Sequence, residues 1–138
     1  MYRLRKQFKF EASHQLPHHD GKCQRLHGHS WVGYVVVEGD DLVAEGSCDP
    51  QSGMLIDYGR ISEVVKPLVE QFLDHHHLNE TTGLESPTSE RLAWWIYQQL
   101  KPQLPQLISI VVEETCTSSA EYRPAPPKPT DLPVGLIT

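Results

Sequence analysis

Residues 29–38 read HSWVGYVVVE, a β-branched and aromatic run that Gly39-Asp40-Asp41 ends with turn chemistry, so the stretch predicts a strand. Upstream, Arg3 to Ala12 alternates, with Arg3, Arg5, Gln7, Lys9 and Glu11 on one side and Leu4, Phe8, Phe10 and Ala12 on the other. That is the pattern of a half-buried strand, and the two predict an antiparallel pair. Asp41 to Gly53, with Gly46, Asp49, Pro50 and Gly53, predicts a long hairpin-like excursion. From Asp57, a candidate N-cap, the period changes: Ile61, Val64, Val65, Leu68, Val69 and Phe72 take helical spacing, with a bend at Pro67 and an end at Leu73 to His77. Ser86-Pro87 predicts a second helix with Pro at its first position, stopped by Lys101-Pro102. Its face of Leu92, Trp95, Ile96 and Leu100 reads as core rather than a cofactor box. Leu107 to Thr115 predicts a third long strand and Ser119 to Arg123 a short fourth.

The expected fold is therefore α+β, in the order β-β-α-α-β-β, an antiparallel sheet with two helices on one face. It is assigned to residues 1–123 as a single domain. Residues 124–138 hold five of the eleven prolines and form a proline-rich tail that cannot be helix or interior strand.

Composition narrows the function classes. The 138-residue chain is 38% hydrophobic, enough to bury the core of one domain. Eighteen acidic against twelve basic residues give a net charge of −6, which opposes a nucleic-acid partner. No apolar run approaches a membrane span of about twenty residues, and Met1 leads directly into an alternating pattern rather than a signal peptide. The expectation is a soluble cytoplasmic protein without a membrane partner. Cys23, Cys48 and Cys116 are odd in number, widely spaced and without a CxxC pair, which fits a reducing compartment and not a disulfide framework.

Histidine carries the functional signal, since all eight lie between His14 and His77. His27 and His29, two apart on a strand, point the same way, and His14 lies across the antiparallel pair to supply a third nitrogen. Three imidazoles without a fourth protein ligand form the pattern of a Zn2+ site with one position open. The alternative is a structural or surface role for each histidine. Cys23, in a basic setting with Lys22 and Arg25, suits a thiolate base or nucleophile; the competing reading makes it a zinc ligand that closes the site. Asp74-His75 offers a carboxylate and an imidazole for a proton relay, against a surface histidine run binding adventitious metal. Glu114 shares the strand face of Ile108, Ile110 and Val112, so its carboxylate must be paired or bind a ligand with donors. A planar heterocycle with an amino group beside a ring N–H would satisfy it, as would a buried Arg. A register slip of one would exchange Glu113 and Glu114.

These residues together resemble the 6-pyruvoyl-tetrahydropterin synthase family, in particular its bacterial carboxy-forming branch of queuosine biosynthesis. The resemblance runs through Phe10-Glu-Ala-Ser-His14-Gln-Leu-Pro, Lys22-Cys23-Gln-Arg-Leu-His27-Gly-His29-Ser and Asp49-Pro50 to Asp57. It continues through Leu73-Asp-His-His-His-Leu-Asn79, Gly83-Leu-Glu-Ser-Pro-Thr-Ser-Glu90 and Glu114-Thr-Cys-Thr117 to Tyr122, nearly everything but the tail. It implies the tunnelling fold, with subunits joining sheets into a trimeric barrel and two trimers stacking into a homohexamer. It implies zinc on His14, His27 and His29, a pterin ring anchored by Glu114, Cys23 as the proton-transfer base, and Asp74 and His75 as its relay, contributed by a neighbouring subunit. His76 and His77 stay outside that site. The implied reaction is a carbon–carbon lyase step from 7,8-dihydroneopterin triphosphate to 6-carboxytetrahydropterin, releasing acetaldehyde and triphosphate, with Lys22 and Arg25 cradling the triphosphate. Alternatives are the pyruvoyl-forming activity, cleavage of other pterin side chains, and a non-catalytic zinc-stabilised oligomer that binds pterins or a partner through its tail. The chain departs from the family in the length of the excursion between Asp40 and Gly53, in Ser119-Ala120-Glu121, and in the added tail.

Overall fold

In the computed structural model, which describes residues 1–46 and 48–126, two long strands form the spine of the fold. β1 (Tyr2–His14) and β2 (His27–Gly39) pair antiparallel over their whole length, from Tyr2↔Gly39 to His14↔His27. α1 (Tyr58–Leu68), β3 (His76–His77), α2 (Leu78–Thr82) and α3 (Ser89–Leu100) follow, then β4 (Leu107–Thr115) and β5 (Ser118–Tyr122). The sheet order is β3-β1-β2-β4-β5. All pairs are antiparallel except β3, which lies parallel to β1 through Ala12↔His76 and Ser13↔His77, so the sheet is mixed rather than purely antiparallel.

One face of the sheet, through Phe10, Trp31, Val35, Val37, Ile110 and Val112, packs against Ile61, Val64, Val65 and Leu68 of α1 and Leu92, Ala93, Ile96 and Leu100 of α3. Each large apolar side chain so buried contributes about 1.5–3 kcal/mol. Phe10 stacks between Phe8 and Trp31, with ring centroids 6.1 and 5.8 Å apart. Phe8 lies over its cross-strand partner Gly33, where any Cβ would fall on the Phe8 ring.

Several boundaries differ from the periodic reading. Pro67 sits within α1 without ending it, and the helix passes into a wider π turn at Val69–Leu73, closed by the Asp74 N–H on the Val69 carbonyl at 2.7 Å. The histidine run is thus not the end of a helix but a sharp turn and the short strand β3. Pro87 is not the first residue of a helix: Thr88 is the N-cap of α3, its Oγ1 accepting from the Arg91 N–H at 3.2 Å. In β4 the register shifts between Val36↔Ser109 and Val37↔Leu107, so Ile108 is an extra residue. Leu107, 1% exposed, takes the core place expected of Ile108. The excursion after β2 is tied at its ends, Val43 exchanging backbone hydrogen bonds with Met54 and Gly53 at 3.0 and 2.8 Å. The tail expected over 124–138 lies outside the described residues from 127 onward. Among the described residues, no helix is long and apolar enough to cross a membrane.

Candidate metal centre and active site

The paired ends of β1 and β2 place His14 opposite His27, with His29 two residues further along the same face. The three rings meet edge to face, with centroids 4.4 Å (His14–His27), 5.1 Å (His14–His29) and 4.8 Å (His27–His29) apart. Trp31 packs edge-on beneath His14 and His29 and satisfies its indole N–H on the Ala12 carbonyl at 3.1 Å. His14 is fully buried, and that burial, more than any neighbouring charge, holds its pKa below the ordinary imidazole value.

The protons on two of the rings are assigned by their partners. His14 Nδ1 lies 2.9 Å from the Pro87 carbonyl and His27 Nδ1 lies 2.6 Å from the Arg25 carbonyl. A carbonyl only accepts, so in each ring Nδ1 carries the hydrogen and Nε2 presents a bare lone pair. All three Nε2 atoms, of His14, His27 and His29, are buried and without a hydrogen-bond partner. Glu114 completes the cluster: its Oε1 lies 2.9 Å from His29 Nε2 and 3.3 Å from His14 Nε2, and one ligand atom from each of the four residues lies within 4.8 Å of the others. The close approaches lack hydrogen-bond orientation, and at His14 a bare nitrogen faces a carboxylate oxygen. Electron-rich atoms converging on one point in a buried place are costly unless a cation sits between them. Neutral imidazoles with one carboxylate form a donor set suited to zinc, and ligands about 2.0–2.2 Å from such an ion stand at this kind of mutual distance.

The group thus holds one donor more than the three histidines expected from the sequence. Glu114 lies on the cluster side of β4, and its ionic partners among the described residues are the two imidazoles. Cys23 sits half-buried in a 3-10 turn (Lys22–Gln24) ahead of β2, its carbonyl accepting the Leu16 N–H at 2.8 Å. Its thiol is not among the converging ligand atoms. Lys22 and Arg25 flank it and are exposed.

Asp74 and His75 are clamped onto the edge of β1. Asp74 Oδ1 accepts the Glu11 N–H at 2.9 Å, the Glu11 carbonyl accepts the His75 N–H at 2.6 Å, and Asp74 Oδ2 lies 2.9 Å from His75 Nδ1. The Glu11 N–H first, and the His75 side chain second, hold the Asp74 carboxyl below its usual range. His75 adopts a left-handed backbone, φ 60°, that non-glycine residues rarely occupy. The imidazole is therefore fixed by its Nδ1 and turned to solvent, with 80% of the side chain exposed. A cleft of 440 Å³ is lined by His75, His76 and His77 together with Glu11, Ser13 and Ser30, which lie on the face of the β1–β2 pair opposite the imidazole cluster; His29 also borders it. His76 and His77, left outside the site by the sequence reading, line this cleft, with His77 Nδ1 3.0 Å from Ser13 Oγ.

Residues 3–125 match the profile described as 6-pyruvoyl tetrahydropterin synthase. The chain belongs to the 6-pyruvoyl tetrahydropterin synthase family. A protein of Synechocystis sp. named 6-carboxy-5,6,7,8-tetrahydropterin synthase is 50% identical over 123 residues, 88% of this chain and 93% of that one. A Haemophilus influenzae protein of the same name is 31% identical over 144 positions, covering 89% and 99% of the two chains. Among solved structures, the 6-pyruvoyl tetrahydropterin synthase of Caenorhabditis elegans superposes with a TM-score of 0.74 at 24% identity, covering 90% of this chain and 96% of that one. The expected tunnelling fold of the 6-pyruvoyl tetrahydropterin synthase family is the fold observed, and the expectation of an enzyme rests on relatives that carry synthase names.

One group at this centre escaped the sequence reading, and another was read as a site residue but not as a neighbour of the histidines. The Pro87 carbonyl orients His14 through backbone alone, and no residue type signals that. Glu114 joins the metal group from a strand a hundred residues away, and its position on the apolar face signalled a need for donors without naming them.

Proposed function

We propose that the chain is a 6-carboxy-5,6,7,8-tetrahydropterin synthase, a carbon–carbon lyase that converts 7,8-dihydroneopterin triphosphate and one water to 6-carboxytetrahydropterin, acetaldehyde and triphosphate. The observation that carries the reading is the set of three unpartnered imidazole nitrogens converging with a carboxylate, in a chain half identical to a protein of that name. Zinc is the metal this donor set suits, and when bound it supplies Lewis acidity that lowers the pKa of the substrate side-chain hydroxyls.

The chain's own groups divide the remaining work. Glu114 gives up its place beside the imidazoles when substrate binds and accepts hydrogen bonds from the amino group and ring N–H of the pterin, which leaves His14, His27 and His29 to hold the metal with one position open. Cys23 moves the proton at the side chain and ring carbon. Asp74 keeps His75 Nδ1 protonated and the ring oriented, so that Nε2 exchanges the proton with solvent or substrate. Lys22 and Arg25 draw the triphosphate against the unfavourable net charge of the chain. The working form is a homohexamer of two barrel-forming trimers in which the relay serves a neighbouring subunit's metal centre, and the pathway is queuosine biosynthesis in the cytoplasm. Residues 1–123 form the catalytic domain and 124–138 a tail outside it.

The deciding experiment incubates zinc-loaded protein with 7,8-dihydroneopterin triphosphate, identifies the pterin by mass and assays acetaldehyde in parallel. Carboxytetrahydropterin with acetaldehyde is the expected result. Pyruvoyl-tetrahydropterin without acetaldehyde would move the chain to the pyruvoyl-forming activity, and absence of turnover by zinc-replete protein would overturn the enzyme reading in favour of a pterin-binding oligomer.

A further inference from the structure

The segment that carries Asp74 and His75 closes on Asn79, a residue to which neither the metal cluster nor the relay gives a role. Three successive residues at the end of β1 are each held by the chain between His77 and Pro87. Ser13 Oγ lies 3.0 Å from His77 Nδ1, His14 Nδ1 donates to the Pro87 carbonyl at 2.9 Å, and Gln15 is held by Asn79.

The Asn79 amide is used from both ends. Its Oδ1 accepts the Gln15 N–H at 2.9 Å, while its Nδ2 donates to the Gln15 carbonyl at 2.7 Å and to the Glu85 carbonyl at 3.1 Å. One N–H faces one end of the amide and two carbonyls face the other, so the partners themselves assign oxygen and nitrogen. Glu85 lies in the stretch between α2 and α3, outside helix and strand, and two residues before the carbonyl that sets the His14 tautomer. One side chain therefore ties the peptide that follows His14 to the segment that orients its ring.

We propose that Asn79 is a positioning residue for the metal centre: through Gln15 and Glu85 it sets the place and orientation of His14, and with them metal affinity and coordination geometry. Groups that orient a ligand histidine typically change metal affinity by roughly 10- to 100-fold when lost, because the bare nitrogen no longer points at the ion.

The proposal rests on the metal reading of the histidine cluster, and the test separates the two. Full-length wild-type protein, Asn79→Ala and Asn79→Ser are loaded with Co2+; visible d–d spectra are recorded and affinity is measured by chelator competition. Asp57→Ala serves as control, since it removes the α1 cap, where Asp57 Oδ1 accepts the Gly59 N–H, and touches none of these groups. Wild type is expected to bind Co2+ in the cluster. Both Asn79 variants are expected to hold it roughly 10- to 100-fold more weakly with altered d–d bands, while the control lowers the melting temperature and leaves both readouts unchanged. Superimposable spectra and an affinity within about twofold of wild type would overturn the role of Asn79 and leave the metal site standing. Failure of both Asn79 variants to fold in excess Co2+ would also count against it, because a positioning role leaves the fold intact. Wild-type protein that takes up no Co2+ would instead defeat the metal reading itself.

Discussion

At His14, burial, tautomer and strand register act on one side chain: the ring is fully enclosed, its Nδ1 is committed to Pro87, and its Nε2 is left for an ion. Glu114 is the residue whose part in that site can be measured most directly. Glu114→Gln keeps the shape and removes the charge, so zinc is expected to stay near one per chain with affinity reduced roughly 10-fold, while pterin binding is lost; metal analysis and substrate titration check the two separately. Asp74 has a signature in acid. Its folded carboxyl titrates below the ordinary range, so its contribution to stability is complete above about pH 4 and is lost as pH falls through the lower folded value. Asp74→Asn is expected to lower the melting temperature at neutral pH and to flatten its fall below pH 4, as read by thermal melts across pH. An acid limb identical to wild type would show that the Glu11 N–H and His75 contacts do not govern it.

Among the elements, α3 shows what a periodic pattern conveys and where it stops. Leu92, Ile96 and Leu100 are all buried as their spacing requires, and Leu92→Ala is expected to cost about 2–5 kcal/mol in urea unfolding. Its start is a matter of local capping, and the Ser86-Pro87 signal read from the sequence does not open the helix. Thr88 prevails because its hydroxyl reaches the Arg91 N–H, and Thr88→Ala is expected to cost about 1 kcal/mol in the same assay. At the Asp74 turn the helical period ends by a mechanism that residue types do not announce: α1 widens into a π turn, and Glu11 of β1 captures the next two residues. The helix was legible, whereas the turn that carries Asp74 and His75 depends on a strand more than sixty residues away.

At the scale of the whole molecule, one edge of the sheet is left largely unpaired among the described residues. β1 pairs on its outer side only at Ala12 and Ser13, so most of a thirteen-residue strand offers an open edge among the described residues. A barrel closed by further subunits would cover such an edge, in keeping with the hexamer proposed above. If the relay serves a neighbour, Cys23→Ala and Asp74→Asn proteins, each inactive alone, are expected to recover activity when unfolded and refolded together. Random mixing would restore up to about a quarter of the sites. No recovery in mixed oligomers would place base and relay in one subunit.

What the sequence determined by itself is the material with a short period: two paired strands from alternation, two helices from 3.6-residue spacing, and two imidazoles aimed alike because residues two apart on a strand share a face. Even the third imidazole was legible, since antiparallel pairing follows from a single connection. Tertiary structure alone decided the parallel strand β3, the bulge at Ile108, the entry of Glu114 into the histidine cluster and the Pro87 carbonyl behind His14. These join groups separated by long stretches of chain. Their partners are backbone atoms or a carboxylate whose neighbours depend on the path of the whole chain, and such contacts leave no period in the residues that make them.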